Sequence, residues 1–250
     1  AGNMGETAVA LGIRCDKTPP IKVLSPQQGE YVNNMNLHFS LNEKLNEGTF
    51  TIERPEKSNH PQVLSIVNIP DTLLNIGEHN FNLEQSFTFV DGMTYSIIIF
   101  CKDIFGYDSN RPTIDSLHFD VSSPVISIIN PSNNSFVNHY EYTYSTNEPL
   151  NLTKFHWDNI GIIQDTFSPY EYLLKREELF RGDTIQISFE DSLTFVDSAQ
   201  YKLTVIGFDL AGNQSDSVFI EPITYDISPP IISEVNPPNN SFINSIFITF

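Results

Sequence analysis

The stretch DISPPIISEVNPPNNSFI, Asp226 to Ile243, restates DVSSPVISIINPSNNSFV, Asp120 to Val137, almost residue for residue. A weaker third copy, DKTPPIKVLSPQQGEYV, runs from Asp16 to Val32 and keeps the Asp, the Pro four residues on, the apolar run, the second Pro and the closing aromatic-valine pair. The three aspartates stand about 104 and 106 residues apart, a period the length of a whole domain rather than of a solenoid turn. A second pair of segments checks the register. TFVDGMTYSIIIFCKDIFGYDSN (Thr88–Asn110) matches TFVDSAQYKLTVIGFDLAGNQSD (Thr194–Asp216), displaced by about 106 residues.

The register predicts four parts: residues 1–15 as the last strand of a preceding repeat, 16–119 and 120–225 as complete repeats, and 226–250 as the start of a further repeat. Each complete repeat is long enough to bury a core of its own.

Acidic residues outnumber basic ones 31 to 13, for a formal net charge of −18 and a pI near 4.5. A surface of that sign repels nucleic acid and anionic membranes and leaves solubility or cation binding as its roles. The acids are dispersed among strands rich in Phe, Ile, Tyr and Val, so the charge does not point to disorder. No apolar run approaches the roughly 18 residues a membrane helix needs. Two cysteines, Cys15 and Cys101, are too few for a disulfide framework and have no metal-ligand spacing.

Short segments with period-2 alternation recur along both repeats, among them IKVLS, NLHFSL, TFTIE, QVLSIV, YSIIIF and SLHFD, punctuated by Pro, Gly, Asn and Asp. YKLTVIG shows the pattern well, with Tyr201, Leu203 and Val205 on one face and Lys202, Thr204 and Ile206 on the other. Only KREELFRGD (175–183) and its counterpart DTLLNIGEH (71–79) hint at a helical turn. The fold class predicted is all-β, with tandem Ig-like β-sandwich domains of about seven antiparallel strands each. Tyr95 and Tyr201, each following a turn and opening the most apolar strand, are expected to be tyrosine corners. Trp157 is expected in the core, where the first repeat has Ile52.

The combination of D-x-x-P-P, N-P-x-N-N-S-F, S-x-N-E-x-L (Ser40–Leu45, Ser145–Leu150) and D-x-x-G-N (Asp209–Asn213) resembles the tandem bacterial Ig-like repeats of secreted and cell-surface proteins, themselves similar to fibronectin type III modules. The resemblance spans essentially the whole chain. It implies an extracellular setting and modules that act as stalks, adhesins or spacers beside enzymes, and it is informative about fold more than function. The first repeat departs from it, with DIFGYD for D-x-x-G-N and QQG for N-N-S.

Catalytic signatures are lacking: the six histidines are scattered singly, with no H-E-x-x-H, G-x-S-x-G or glycine-rich phosphate loop. The Asn-x-Ser/Thr triplets at Asn133, Asn151, Asn213 and Asn239 are read as incidental to an Asn-rich chain. The constellation with chemical content comes from the expected topology. In an Ig-like unit the loops after the second and sixth strands lie at the entry end, and the loop before the sixth lies at the exit end. Asp91, Asp120, Glu148 and Asp209 are therefore expected to converge at one junction, and Asp16, Glu43 and Asp103 at the equivalent one. Such carboxylates suit Ca2+, which takes 6 to 8 oxygen ligands, and calcium-bridged junctions occur in cadherin-like modules and some bacterial Ig-like adhesins. The competing reading is turn chemistry, since Asp before Ser-Pro or Thr-Pro makes an Asx-turn and D-x-x-G-N is itself a turn signature. Cys15 and Cys101 fall near one junction, but strand parity points each into its own core as a small hydrophobe rather than into a bridge.

The function expected is a non-catalytic extracellular spacer or adhesive stalk whose partners are neighbouring repeats of the same chain, with no nucleic acid and no membrane insertion by this segment. The proline pairs 19–20 and 229–230 limit bending at their linkers, whereas the linker at Asp120 has only Pro124 and is expected to bend more. The alternative is a glycan- or protein-binding accessory module of a larger secreted enzyme, gripping a surface ligand through exposed Phe167, Tyr170 and Tyr172.

Overall fold

The structure is a computed structural model, and it describes residues 20–55, 61–175, 184–190, 192–231 and 242. These fall into two units that divide between Ser122 and Ser123.

The first unit contains β1 (Ile21–Ser25), β2 (Tyr31–Val32), β3 (Asn36–Leu41), β4 (Leu45–Arg54), β5 (Gln62–Asn68), β6 (Gly77–Asn82), β7 (Met93–Asp103) and β8 (Thr113–Phe119). One sheet has the order β1-β3-β6 and the other β2-β8-β7-β4-β5. Alternation along each strand supplies the core. Leu37, Phe39 and Leu41 of β3, Phe50 and Ile52 of β4, and Ile97 and Ile99 of β7 are all buried, while the residues between them face outward.

The second unit repeats the plan with β9 (Ile126–Asn130), β10 (Ser135–Val137), β11 (Glu141–Thr146), β12 (Leu150–Asn159), β13 (Tyr170–Lys175), β14 (Thr184–Ser188), β15 (Gln200–Asp209) and β16 (Val218–Tyr225). Its sheets are β9-β11-β14 and β10-β16-β15-β12-β13. Both units are all-β sandwiches of Ig-like, fibronectin type III-like plan. Among the described residues each shows eight named strands rather than seven because the first strand changes sheets. β1 runs antiparallel to β3 and β2 then parallel to β8, as β9 does with β11 and β10 with β16. Pro26 and Pro131 stand at the change, where a residue without an N–H cannot continue the first ladder. Of the helical hints, Asp71–Leu73 is one 3-10 turn, and residues 176–183 lie outside the described residues.

Trp157 is fully buried, with Phe189 edge-on at 4.6 Å and Phe155 stacked at 5.9 Å. Such pairs add about 0.5–1.5 kcal/mol each beyond the area they bury. Gly207 is closely packed, and a Cβ there would lie 2.6 Å from Ile126 Cδ1, the end of a side chain that would have to shift.

Register fixes the two ends of each unit. In the second, Ile126 pairs with Thr146 and Leu150 with Asp209 at the end where the chain enters, while Asn159 pairs with Tyr201 and Gln200 with Thr224 at the end where it leaves. In the first, Leu45 pairs with Asp103 at the entry end and Met93 with Phe119 at the exit end.

Candidate functional site at the unit ends

At the exit end of the first unit the loop before β7 turns through Asp91 and Gly92, with Gly92 at φ +72° and its N–H donated to Phe119 O. This turn aims the Asp91 carboxylate at the departing chain. Oδ1 accepts the Val121 N–H at 2.8 Å and Oδ2 accepts the Ser122 hydroxyl at 2.5 Å. The second unit builds the same clamp: Asp197 Oδ1 accepts the Ile227 N–H at 2.8 Å and Oδ2 the Ser228 hydroxyl at 2.7 Å. Hydrogen bonds to the ionised form lower both carboxyls below their ordinary 3.8, chiefly that from the Ser122 hydroxyl for Asp91 and from the Ile227 N–H for Asp197. The linker aspartates complete the turn, since Asp120 Oδ1 accepts the Ser122 N–H and Asp226 Oδ1 the Ser228 N–H, both at 3.1 Å. The signal was in the sequence as F-V-D paired with D-[V/I]-S about 30 residues on, but reading Asp91 as a metal ligand overlooked it.

The receiving unit holds the linker from its own side. Val125 donates its N–H to Asn147 Oδ1 at 2.7 Å, and Asn147 N–H returns a bond to Val125 O at 3.3 Å. In the first unit Asn42 N–H bonds to Pro20 O, whose residue has no N–H to give. At the Asp120 linker, then, a hydrogen bond stands where the first linker has its second proline.

The entry-end carboxylates of the second unit come together. Glu148, on the turn after β11, and Asp209, closing β15, offer oxygens within 4.8 Å of each other. Asp209 is only 1 % exposed, and its two oxygens accept Asn213 N–H and Asn213 Nδ2–H, both at 2.8 Å. In the first unit Asp103 plays the turn role, with Oδ1 accepting from Phe105 N–H and Tyr107 N–H at 2.8 Å; Glu43 sits on the turn after β3 at the same end. Asp16 and Cys15 lie outside the described residues. Cys101 is buried, and burial pushes its thiol up to about 11.

Both tyrosine corners form: Tyr95 Oη accepts the Val90 N–H at 2.8 Å and Tyr201 Oη the Val196 N–H at 2.9 Å. In the second unit the corner is extended by Asp165, a residue the sequence reading passed over. Asp165 is 6 % exposed, and its Oδ2 accepts the hydroxyls of Tyr201 at 2.6 Å and Tyr170 at 2.8 Å, while Oδ1 accepts the Phe167 N–H. Burial works to raise this carboxyl, and the hydrogen bonds, led by Tyr201, outweigh it and lower it. The two phenols are pushed up, burial first and the carboxylate second. Tyr170 and Tyr172 therefore correct an expectation. They are packed inward, Tyr170 edge-on to Phe195 at 5.6 Å and Tyr172 edge-on to Phe189 at 4.9 Å, and only Phe167 of the three projects, at 77 % exposure.

No protein-family profile matches the chain, and no curated protein matches it. Among solved structures it is similar to the chicken CNTN1 FN1–FN3 domains at 13 % identity, covering 86 % of this chain and 70 % of that one with a TM-score of 0.35. It is also similar to fibronectin(III)-like modules of Clostridium thermocellum CbhA at 14 % identity, covering 86 % and 100 % with a TM-score of 0.42. A tetra-tandem repeat from the extending region of a large adhesion protein matches at 13 % identity, covering 81 % and 48 % with a TM-score of 0.33. Among the described residues, no helix is long and apolar enough to cross a membrane.

Proposed function

We propose that this chain is a non-catalytic, extracellular spacer or stalk segment whose working properties are length and resistance to bending at its linkers. The observation that carries this reading is the treatment of the linker. Val121 and Ser122 are bound by Asp91 of the unit they leave, and Val125 by Asn147 of the unit it enters. Between them only Ser123 and Pro124 are left to the chain's own torsions. Pro124 has its φ set by its ring, and Ser123, as the residue before it, is biased away from the helical region. Recurrence of the exit clamp at Asp197 favours a function that belongs to the linker rather than to one unit.

The proposal includes a Ca2+ ion held by Glu148 and Asp209 of the second unit, with carbonyls and water completing its shell. Its support is the Glu148–Asp209 pair: two carboxylates whose oxygens lie within 4.8 Å, one of them buried, are the hard oxygen ligands that Ca2+ takes. Asp91 is left out of the shell, as its carboxylate is bound to the linker. The test is calorimetric titration with Ca2+ paired with thermal melts in Ca2+ and in chelator. Saturable binding lost in Asp209→Asn, with a raised melting temperature, supports the ion; no heat and identical melts remove it and leave the spacer reading to stand on the linker.

A further inference from the structure

We propose that the loop joining β12 to β13 in the second unit, residues 160–169, is a preorganised docking knob for another protein whose surface offers an apolar pocket rimmed by Lys or Arg. The loop exposes large apolar side chains at its tip: Ile162 is 97 % exposed, Phe167 77 %, Ile160 45 % and Ile163 43 %. Hydrogen bonds from the strands beneath tie the loop down. Asn159 Oδ1 accepts the Asp165 N–H at 3.1 Å, and Asn159 Nδ2 donates to Ile163 O at 3.0 Å and Gln200 O at 3.1 Å. The Asp165 carboxylate, buried beneath, is tied to Tyr170 and Tyr201, and Ser168 Oγ accepts the Asn159 N–H at 2.7 Å. Gly161 lies so close that a Cβ there would be 3.2 Å from Gln200 N.

A loop held from beneath by a buried carboxylate, with apolar side chains turned to water, has already met the ordering cost that a flexible loop meets on binding. Rigid apolar anchors of this kind dominate the energetics of protein interfaces, and loops on a fixed scaffold are where recognition concentrates. Charge selects the partner. From Asp158 to Tyr170 the sequence has no Lys or Arg, Asp158, Asp197 and Asp226 sit at the same end of the unit, and the whole chain carries −18. A second copy and an anionic bilayer are both repelled, whereas a basic rim around an apolar pocket is complementary. The corresponding stretch of the first unit, PEKSNHP (55–61), has neither Ile nor Phe, so the knob belongs to the second unit alone.

The probe is a synthetic peptide of alternating Leu and Lys, titrated into the 15N-labelled chain. Shifts confined to residues 158–169 and 196–200, weakened by salt and lost in Ile162→Asp/Phe167→Ser, support the knob. Asp165→Asn, which keeps the apolar tip but loosens its support, is expected to weaken binding at least tenfold and to speed amide exchange at Ile163 and Phe167. Shifts spread over the acidic surface of both units, or unaltered by Ile162→Asp/Phe167→Ser, overturn the proposal. So does binding to zwitterionic vesicles without binding to the peptide, which would make the loop a lipid anchor instead.

Discussion

The Asp91 carboxylate accepts the Ser122 hydroxyl at 2.5 Å across 31 residues of sequence, and Asp197 repeats the bond with Ser228 at 2.7 Å across the same interval. A repeated contact between a turn and the chain leaving its unit fixes the direction of departure. Asp91→Asn keeps the shape but removes an ionised acceptor, and charge-assisted bonds are roughly twice as strong as neutral ones. Residues 120–123 are therefore expected to show lower backbone order and faster amide exchange in Asp91→Asn, with the strands of the first unit unaltered. Ser122→Ala should produce a smaller change of the same kind, because the Val121 bond remains.

The same clamp has a pH dependence with a definite sign. A carboxyl lowered below its ordinary 3.8 in the folded protein stabilises the structure above that value and loses the contribution as pH falls through its folded pKa. Exchange of the Val121 and Ile227 amides, corrected for the intrinsic rate, should thus accelerate only below about pH 4, before either sandwich unfolds globally.

Tyr201 and Tyr95 occupy equivalent corners yet should not respond equally to loss of the hydroxyl. Tyr95→Phe gives up the bond from Val90 N–H, a loss of about 1 kcal/mol. Tyr201→Phe also takes a donor from the buried Asp165, and a buried charged group deprived of a partner raises the loss to roughly 2–3 kcal/mol. Urea unfolding, followed by Trp157 fluorescence for the second unit and by amide signals for the first, separates the two. Equal losses would mean that the Asp165 bonds contribute nothing. Because the Tyr201 and Tyr170 phenols are pushed above their ordinary 10.0, the folded second unit retains protons that the unfolded chain releases, so its stability should decline as pH rises above about 10.

Gly207→Ala tests the packing under β9. Its Cβ would meet Ile126 Cδ1 at 2.6 Å and Leu150 Cδ1 at 3.0 Å, the ends of two side chains that must shift, at a cost of about 1 kcal/mol. That corresponds to a fall of several degrees in the melting temperature of a domain this size. An unchanged melt would show that the entry end is looser than its contacts indicate.

Should Ca2+ bind as proposed, 100-fold excess over its Kd adds about 2.7 kcal/mol to the stability of the second unit. In Glu148→Gln that gain disappears, because one of the two carboxylates at the site is lost.

Much of the fold was legible because its signals are local and repeated. The period near 106 is shown by the repetition itself, and the period-2 strands, the two corner tyrosines and the buried Trp157 each follow from spacing within a single unit. The clamps were harder to read, because Asp91 and Ser122 are distant in sequence and each has a sufficient local reading, Asp-Gly as a turn and Ser-Ser-Pro as a linker. Comparing the two repeats position by position would have paired them. Asp165 left no such trace: it lies in the segment that differs most between the repeats, and only the folded positions of β12, β13 and β15 bring it beneath Tyr170 and Tyr201. The inward packing of Tyr170 and Tyr172 was missed for a related reason, since an aromatic on an edge strand can face either way until the register is known.

The central claim is that the linker is held from both sides, and 15N relaxation across residues 119–127 tests it most directly. Order parameters near 0.85 for Val121, Ser122 and Val125, equal to those of β8 and β9, are the predicted result, with any dip confined to Ser123. Values below 0.6 throughout this stretch would contradict it, and with it the reading of this chain as a spacer built to resist bending.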